Sequence, residues 1–148
     1  MVWTPHVTVA AIVEREGRFL MVEEDTDDGV MINKPAGHLE KGESLIYAVV
    51  RETQEESAWL FQPAGLVGIY RWPHPTKDIT FIRFAFAGDV SQHDPAQKLD
   101  DGVIRSLWMT LDELRGCEDR HRSPQVMLCV TDFLNGKLAS LDILNELK

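Results

Sequence analysis

The sequence offers little from which a disulfide framework, a membrane span or a polyanion-binding surface could be built. Its 148 residues contain only two cysteines, Cys117 and Cys129. They lack CxxC spacing and read as two reduced thiols rather than a staple or a redox pair. The apolar runs Val7 to Val13 and Phe81 to Ala87 fall far short of the roughly 20 residues that cross a bilayer. The opening Met1-Val2-Trp3-Thr4-Pro5 lacks the basic and extended apolar regions of a signal peptide, so a cytoplasmic location is expected. Basic residues are also scarce, with 15 Lys plus Arg against 24 Asp plus Glu and a net charge of -9. That balance disfavours a nucleic-acid polymer, whose binders need a basic footprint. A small phosphorylated partner stays open, because bound cations reverse the local field of an acidic site. Nothing in the pattern decides between monomer and homodimer.

What is present fits one core-bearing domain over residues 1–148: 44% hydrophobic residues, with 10 Gly and 7 Pro to define turns. His6 to Glu14 and Phe19 to Glu23 are β-rich and separated by Arg15-Glu16-Gly17-Arg18, which predicts a hairpin. A short segment, Val30 to Asn33, precedes Pro35-Ala36-Gly37. Ser44 to Glu56 carries apolar residues at helical spacing, with Ser44 or Glu43 placed to serve its first amides. Pro63 and Gly65 stop helical continuation and introduce a strand from Leu66 to Trp72. Ile79 to Gly88 is apolar on both alternating sets, the pattern of a central strand. Asp89 to Gly102 reads as irregular, Val103 to Met109 as a strand, and Thr110 with Glu113 as a capping box. A helix is expected from Pro124 or Gln125 to Leu134, followed by an apolar segment, Leu138 to Leu147, that docks on the domain. Mixed strands around a long helix predict an α/β/α sandwich with a mixed β-sheet.

The chemistry is concentrated between Gly37 and Trp59. On a helix, Glu52, Glu55 and Glu56 fall on one side, at offsets of three and four residues. Three adjacent carboxylates repel, and Mg²⁺ or Mn²⁺, which seek oxygen ligands, offset that repulsion. Arg51 is placed to brace Glu43 or the neighbouring glutamates through charge-assisted bonds. Gly37 and Gly42 permit sharp backbone geometry, and the Gly37 carbonyl offers a further oxygen. The competing reading is a solvated acidic helix face.

The pattern Gly37, Glu43, Arg51, Glu52, Glu55 and Glu56 resembles the Nudix box. Three positions depart from it: Ala58 stands where the family has glycine, Thr53 at an often aliphatic position, and Trp59 at the final aliphatic one. A left-handed Ala58 costs about 1 kcal/mol, so a shifted helix end is expected. His6 to Ala10, Pro35 to Glu40, Phe81 to Phe84 and Arg122-Ser123-Pro124 together resemble the bacterial Nudix phosphatase subgroup NudJ. The resemblance implies a metal-dependent phosphohydrolase of nucleoside triphosphates and diphosphates and of the thiamine pyrimidine pyrophosphate. The alternatives are a pyrophosphohydrolase of nucleotide sugars or dinucleoside polyphosphates, and an inactive nucleotide-binding protein that kept the fold.

By the same resemblance Glu52 and Glu56 are the principal metal ligands, Glu55 a further ligand or the base, and the Gly37 carbonyl a completing oxygen. Mg²⁺ is the expected ion, with Mn²⁺ as its substitute. The general base is left among Glu52, Glu55 and the distant Asp100 or Asp101. Arg83, a charge inside an apolar strand, is the leading phosphate contact, with an internal ion pair as its rival. Arg18 has the same possible role but begins a strand and can snorkel. His38 is placed for phosphate or leaving group. Trp72, Tyr70 and Phe84 offer an aromatic wall or ordinary core.

Overall fold

The computed structural model describes residues 2–147. Its strands are β1 (His6–Ile12), β2 (Glu14–Arg15), β3 (Arg18–Thr26), β4 (Gly29–Asn33) and β5 (Ala36–His38), then β6 (Leu60–Pro73), β7 (Thr80–Ser91) and β8 (Val103–Thr110). Its helices are α1 (Leu45–Ser57), α2 (Leu111–Gly116) and α3 (Gln125–Leu134). One sheet has the order β5-β1-β7-β6, with β1 parallel to β7 and the other pairs antiparallel. A second, antiparallel sheet forms around β3, which pairs with β2, β4 and β8.

Alternation along β1 divides the core. Val9, Ala11 and Val13 pack with Ala48 and Val49 of α1, while Ile12 packs with Cys129 and Val130 of α3. Helices therefore cover both faces, as the α/β/α expectation requires. β7 lies between β1 and β6, which explains why both of its alternating sets are apolar.

The predicted hairpin is mostly overturned. Only Glu14 and Arg15 turn back onto Phe19 and Arg18, while His6–Ile12 joins the other sheet between β5 and β7. At Val13 the chain passes from one sheet to the other, and its carbonyl accepts from the Leu20 amide at 3.0 Å. Two strands on either side of a tight turn look alike in sequence whether or not they pair. β6 also begins earlier than expected, absorbing Pro63 and Gly65 through register shifts, and β7 continues through Asp89 to Ser91. The tail docks: Leu66 and Ala139 exchange amide bonds of 2.9 and 2.7 Å, and Leu141 and Leu144 pack on the α1 side of the core.

Ser44, rather than Glu43, caps α1, accepting from the Tyr47 amide at 3.0 Å. The far end does not shift. Ala58 takes the left-handed conformation, φ 63° and ψ 20°, and donates to the Gln54 carbonyl at 2.9 Å. Burial of Ala58 and its amide bond hold a geometry that alanine enters only at a cost. Ala58→Gly should therefore stabilise the fold by about 1 kcal/mol, a rise of about 2–4 °C in thermal unfolding. An unchanged or lowered midpoint would show that the alanine is not strained.

Candidate active site

Arg51 organises the first turns of the site. Its Nη2 donates to Glu43 Oε1 at 2.8 Å and to the His38 carbonyl at 3.1 Å. Its Nη1 donates to Glu52 Oε1 at 2.8 Å and to Glu55 Oε2 at 3.2 Å. These contacts raise the guanidinium pKa, the Glu43 bond contributing most. The same bond lowers that of Glu43, which also accepts from the Glu40 amide at 2.8 Å. Glu43 is thus a brace held by Arg51, as the sequence suggested, and it closes the loop in which Gly42 turns through φ 84°.

Gly37 serves a different purpose from the one its residue type suggests. It is extended within β5 opposite Val9, so no left-handed turn needs it. A Cβ there would sit 2.0 Å from Glu52 Cδ and 2.3 Å from each carboxylate oxygen. The absent side chain is the space in which the Glu52 carboxylate lies.

Glu52 and Glu55 each have an oxygen within 4.8 Å of the other and of Asp100. Asp100, more than forty residues away in sequence, is held there by its own amide, which donates to the Glu55 carbonyl at 3.0 Å. Burial raises the Glu52 pKa, and burial with the Asp100 charge raises that of Glu55. Glu56 is not in this close triplet. It is 8% exposed, accepts from the Ala36 amide at 2.8 Å, and burial pushes its carboxyl up to about 9. Carboxylates that resist ionisation in one cluster are the donor set that a hard divalent cation suits.

A cavity of about 610 Å³ opens beside these carboxylates. Glu52, Glu56, Gly37, His38, Trp72, Arg83 and Asp101 all line it. Arg83 is 9% exposed, with Nε 3.5 Å from Thr8 Oγ1 and no carboxylate within ion-pair distance among the described residues, so the internal ion-pair reading does not apply. Burial lowers its pKa, and burial does the same to His38, whose ring lies against His6 at 3.3 Å.

Three residues that the sequence suggested for substrate contact lie elsewhere. Arg18 pairs with Glu113 at 3.6 Å and is not part of the cavity lining. Phe84 packs on the α1 side of the core, because strand alternation sends it away from the face of Arg83. Tyr70 donates to Asp132 at 2.8 Å and packs toward α3. Phe81 was missed, although it lies two residues before Arg83 and so shares its face. It stacks on Trp72 at 5.8 Å between centroids and 18° between planes. Gln125 and Asn33 also line the cavity and carry no sequence signal.

The model of the NUDIX domain matches residues 4–128. The chain belongs to the Nudix family. Phosphatase NudJ of Escherichia coli K12 is 35% identical over 142 residues, covering 96% of this chain and 92% of that protein. A Nudix hydrolase structure from Nitrosomonas europaea is 44% identical, with a TM-score of 0.95 and coverage of 97% and 98%. A MutT protein structure from Methanosarcina mazei, 22% identical with a TM-score of 0.73 over 93% of this chain and 99% of that one, shares the fold. This Nudix protein is accordingly a hydrolase of phosphoanhydride bonds. Among the described residues no helix is long and apolar enough to cross a membrane.

Proposed function

We propose that this Nudix hydrolase is a single-domain, cytoplasmic, Mg²⁺-dependent phosphohydrolase that also accepts Mn²⁺. It removes phosphate from nucleoside triphosphates and diphosphates, and the thiamine pyrimidine pyrophosphate belongs to the same substrate range. The observation that carries this reading is the 35% identity to Phosphatase NudJ along 96% of the chain, joined to the acidic cluster beside the cavity.

Glu52, Glu55 and Asp100 would hold one ion, and Glu56 with the Gly37 carbonyl would complete the coordination. Bound there, a divalent ion would supply charge neutralisation of the phosphoanhydride and a lowered pKa for the attacking water. Arg51 fixes Glu52 and Glu55 in place while Glu43 holds Arg51. His38, Trp72 and Arg83 contact the substrate within the cavity.

A second reading is favoured by a shallower recess that shares Trp72, His74 and Arg122 with the main cavity and continues to Pro75, Glu118 and Met127. It offers room for the second group of a nucleotide sugar or dinucleoside polyphosphate. A hydrolysis panel with Mg²⁺ and Mn²⁺ separates the readings. Orthophosphate is expected from nucleoside triphosphates, diphosphates and the thiamine pyrimidine pyrophosphate, with a nucleotide sugar left intact. Exclusive pyrophosphate release from triphosphates would reject the proposal, and no turnover on any substrate would favour an inactive nucleotide binder.

A further inference from the structure

Among the described residues two buried side-chain atoms have no hydrogen-bond partner: Arg83 Nη1 and Gln125 Oε1. Their residues are 9% and 4% exposed and line the same cavity, one from β7 and the other from the first turn of α3. Leaving a buried donor and a buried acceptor unmatched is costly. Both would be satisfied by a ligand that brings one acceptor and one donor.

That pairing favours a group with an acceptor beside a donor over phosphate at Arg83. Ionised phosphate oxygens accept but do not donate, so phosphate would satisfy the guanidinium but would require the Gln125 amide to turn over and present Nε2 in place of Oε1. A nitrogen heterocycle presents both kinds of group on one edge, a ring carbonyl or ring nitrogen beside an N–H. The aromatic surface suited to such a ring is in the same wall, since Trp72 and Phe81 lie nearly parallel and both line the cavity. Glu52 and Glu56 also border this space, which leaves a phosphate chain to run toward them.

Gln125 is held firmly. The Nζ of Lys34, a residue with no exposed surface, donates to the Gln125 carbonyl at 3.0 Å and to the Val126 carbonyl at 3.4 Å. The Gln125 amide donates to Ser123 Oγ at 3.2 Å. These bonds use the Gln125 backbone, so its side chain is spare.

We propose that Arg83, Gln125 and the Trp72–Phe81 pair form a heterocycle-recognition subsite, Arg83 Nη1 donating to a ring acceptor and Gln125 Oε1 accepting from the adjacent N–H. The subsite rests on the substrate class proposed above and identifies which part of that substrate the closed wall reads.

Gln125→Leu tests it, because the substitution keeps both backbone contacts and similar bulk. Turnover is compared on nucleoside diphosphates, on analogues methylated at the edge nitrogen, and on inorganic tripolyphosphate, which has no ring. Calorimetry with the nucleoside monophosphate supplies a readout independent of turnover. The wild type should prefer the unmethylated nucleotide. In the variant, the kcat/KM ratio of nucleotide to tripolyphosphate should fall about tenfold through KM, the methyl preference should vanish, and monophosphate binding should weaken similarly. An unchanged ratio, equal binding of methylated and unmethylated ligands by the wild type, or no nucleotide binding would overturn the subsite. Gln125-dependent binding without phosphate release would uphold it and reject the phosphohydrolase reading.

Discussion

Glu56→Gln should make the metal-free protein more stable at neutral pH while reducing metal-dependent turnover by at least about a hundredfold. Both effects come from one buried carboxyl. Burial raises its pKa from the ordinary 4.5 to about 9, so between those values the folded chain keeps a proton that the unfolded chain has released. The folded state binds more protons there, and stability falls as pH rises across the window. Below it both states are protonated, and above it both are ionised with the full penalty present. By pH 7 the loss is on the order of 3 kcal/mol. Glutamine keeps an oxygen for the Ala36 amide and has nothing to ionise. Denaturant melts of both proteins without metal should coincide near pH 4 and separate progressively toward pH 9, the wild type being weaker. Cation binding by the wild type must expel the Glu56 proton, so its apparent metal affinity should rise with pH. Parallel stability profiles, or undiminished turnover by the variant, would remove Glu56 from the metal site.

Gly37→Ala should fold with a stability change of about 1 kcal/mol or less and yet lose about 10² in kcat/KM. The new Cβ would meet Glu52 Cδ at 2.0 Å, and the obstructing atoms are the free end of a flexible side chain rather than backbone. Glu52 can move aside, so the fold tolerates the methyl. The site does not, because the carboxylate must leave its 2.8 Å contact with Arg51 and its place beside Glu55 and Asp100. Circular dichroism should be unchanged, and the Mg²⁺ concentration for half-maximal turnover should increase. Full activity at the wild-type metal requirement would show that the clearance around Glu52 is unimportant. A collapse of the fold would show that the methyl strains the strand rather than the site.

The parts of this protein most legible in sequence are those in which neighbours along one element do the work. α1 could be read from apolar spacing, and its three glutamates share a side because a helix places offsets of three and four together. Arg51 was legible as a brace, but its choice of Glu43, which lies in the loop before the helix, follows from how that loop folds back. Ser44 and Ala58 were less so: a cap depends on which side chain the loop aims at the amides, and the left-handed alanine is held by burial and by its bond to Gln54. The β1 pairing was misread because strand propensity names no partner.

Asp100 and Gln125 mark the other limit. Asp100 is one of two adjacent loop carboxylates with nothing in the sequence to choose between them, and the Arg122-Ser123-Pro124 stretch beside Gln125 says nothing of where its side chain goes. Asp100 reaches Glu55 through a backbone bond across the fold, and Gln125 is turned into the cavity by a helix that Lys34 pins. Alternation along β7 decided that Phe81 accompanies Arg83 while Phe84 faces α1. Residue spacing was enough for the Nudix family and the acidic side of α1, because a spacing on one helix is local geometry. Packing between elements set which distant carboxylate joins that side, why Gly37 must lack a side chain, and which ring and amide line the cavity. Those depend on contacts between elements that no spacing encodes.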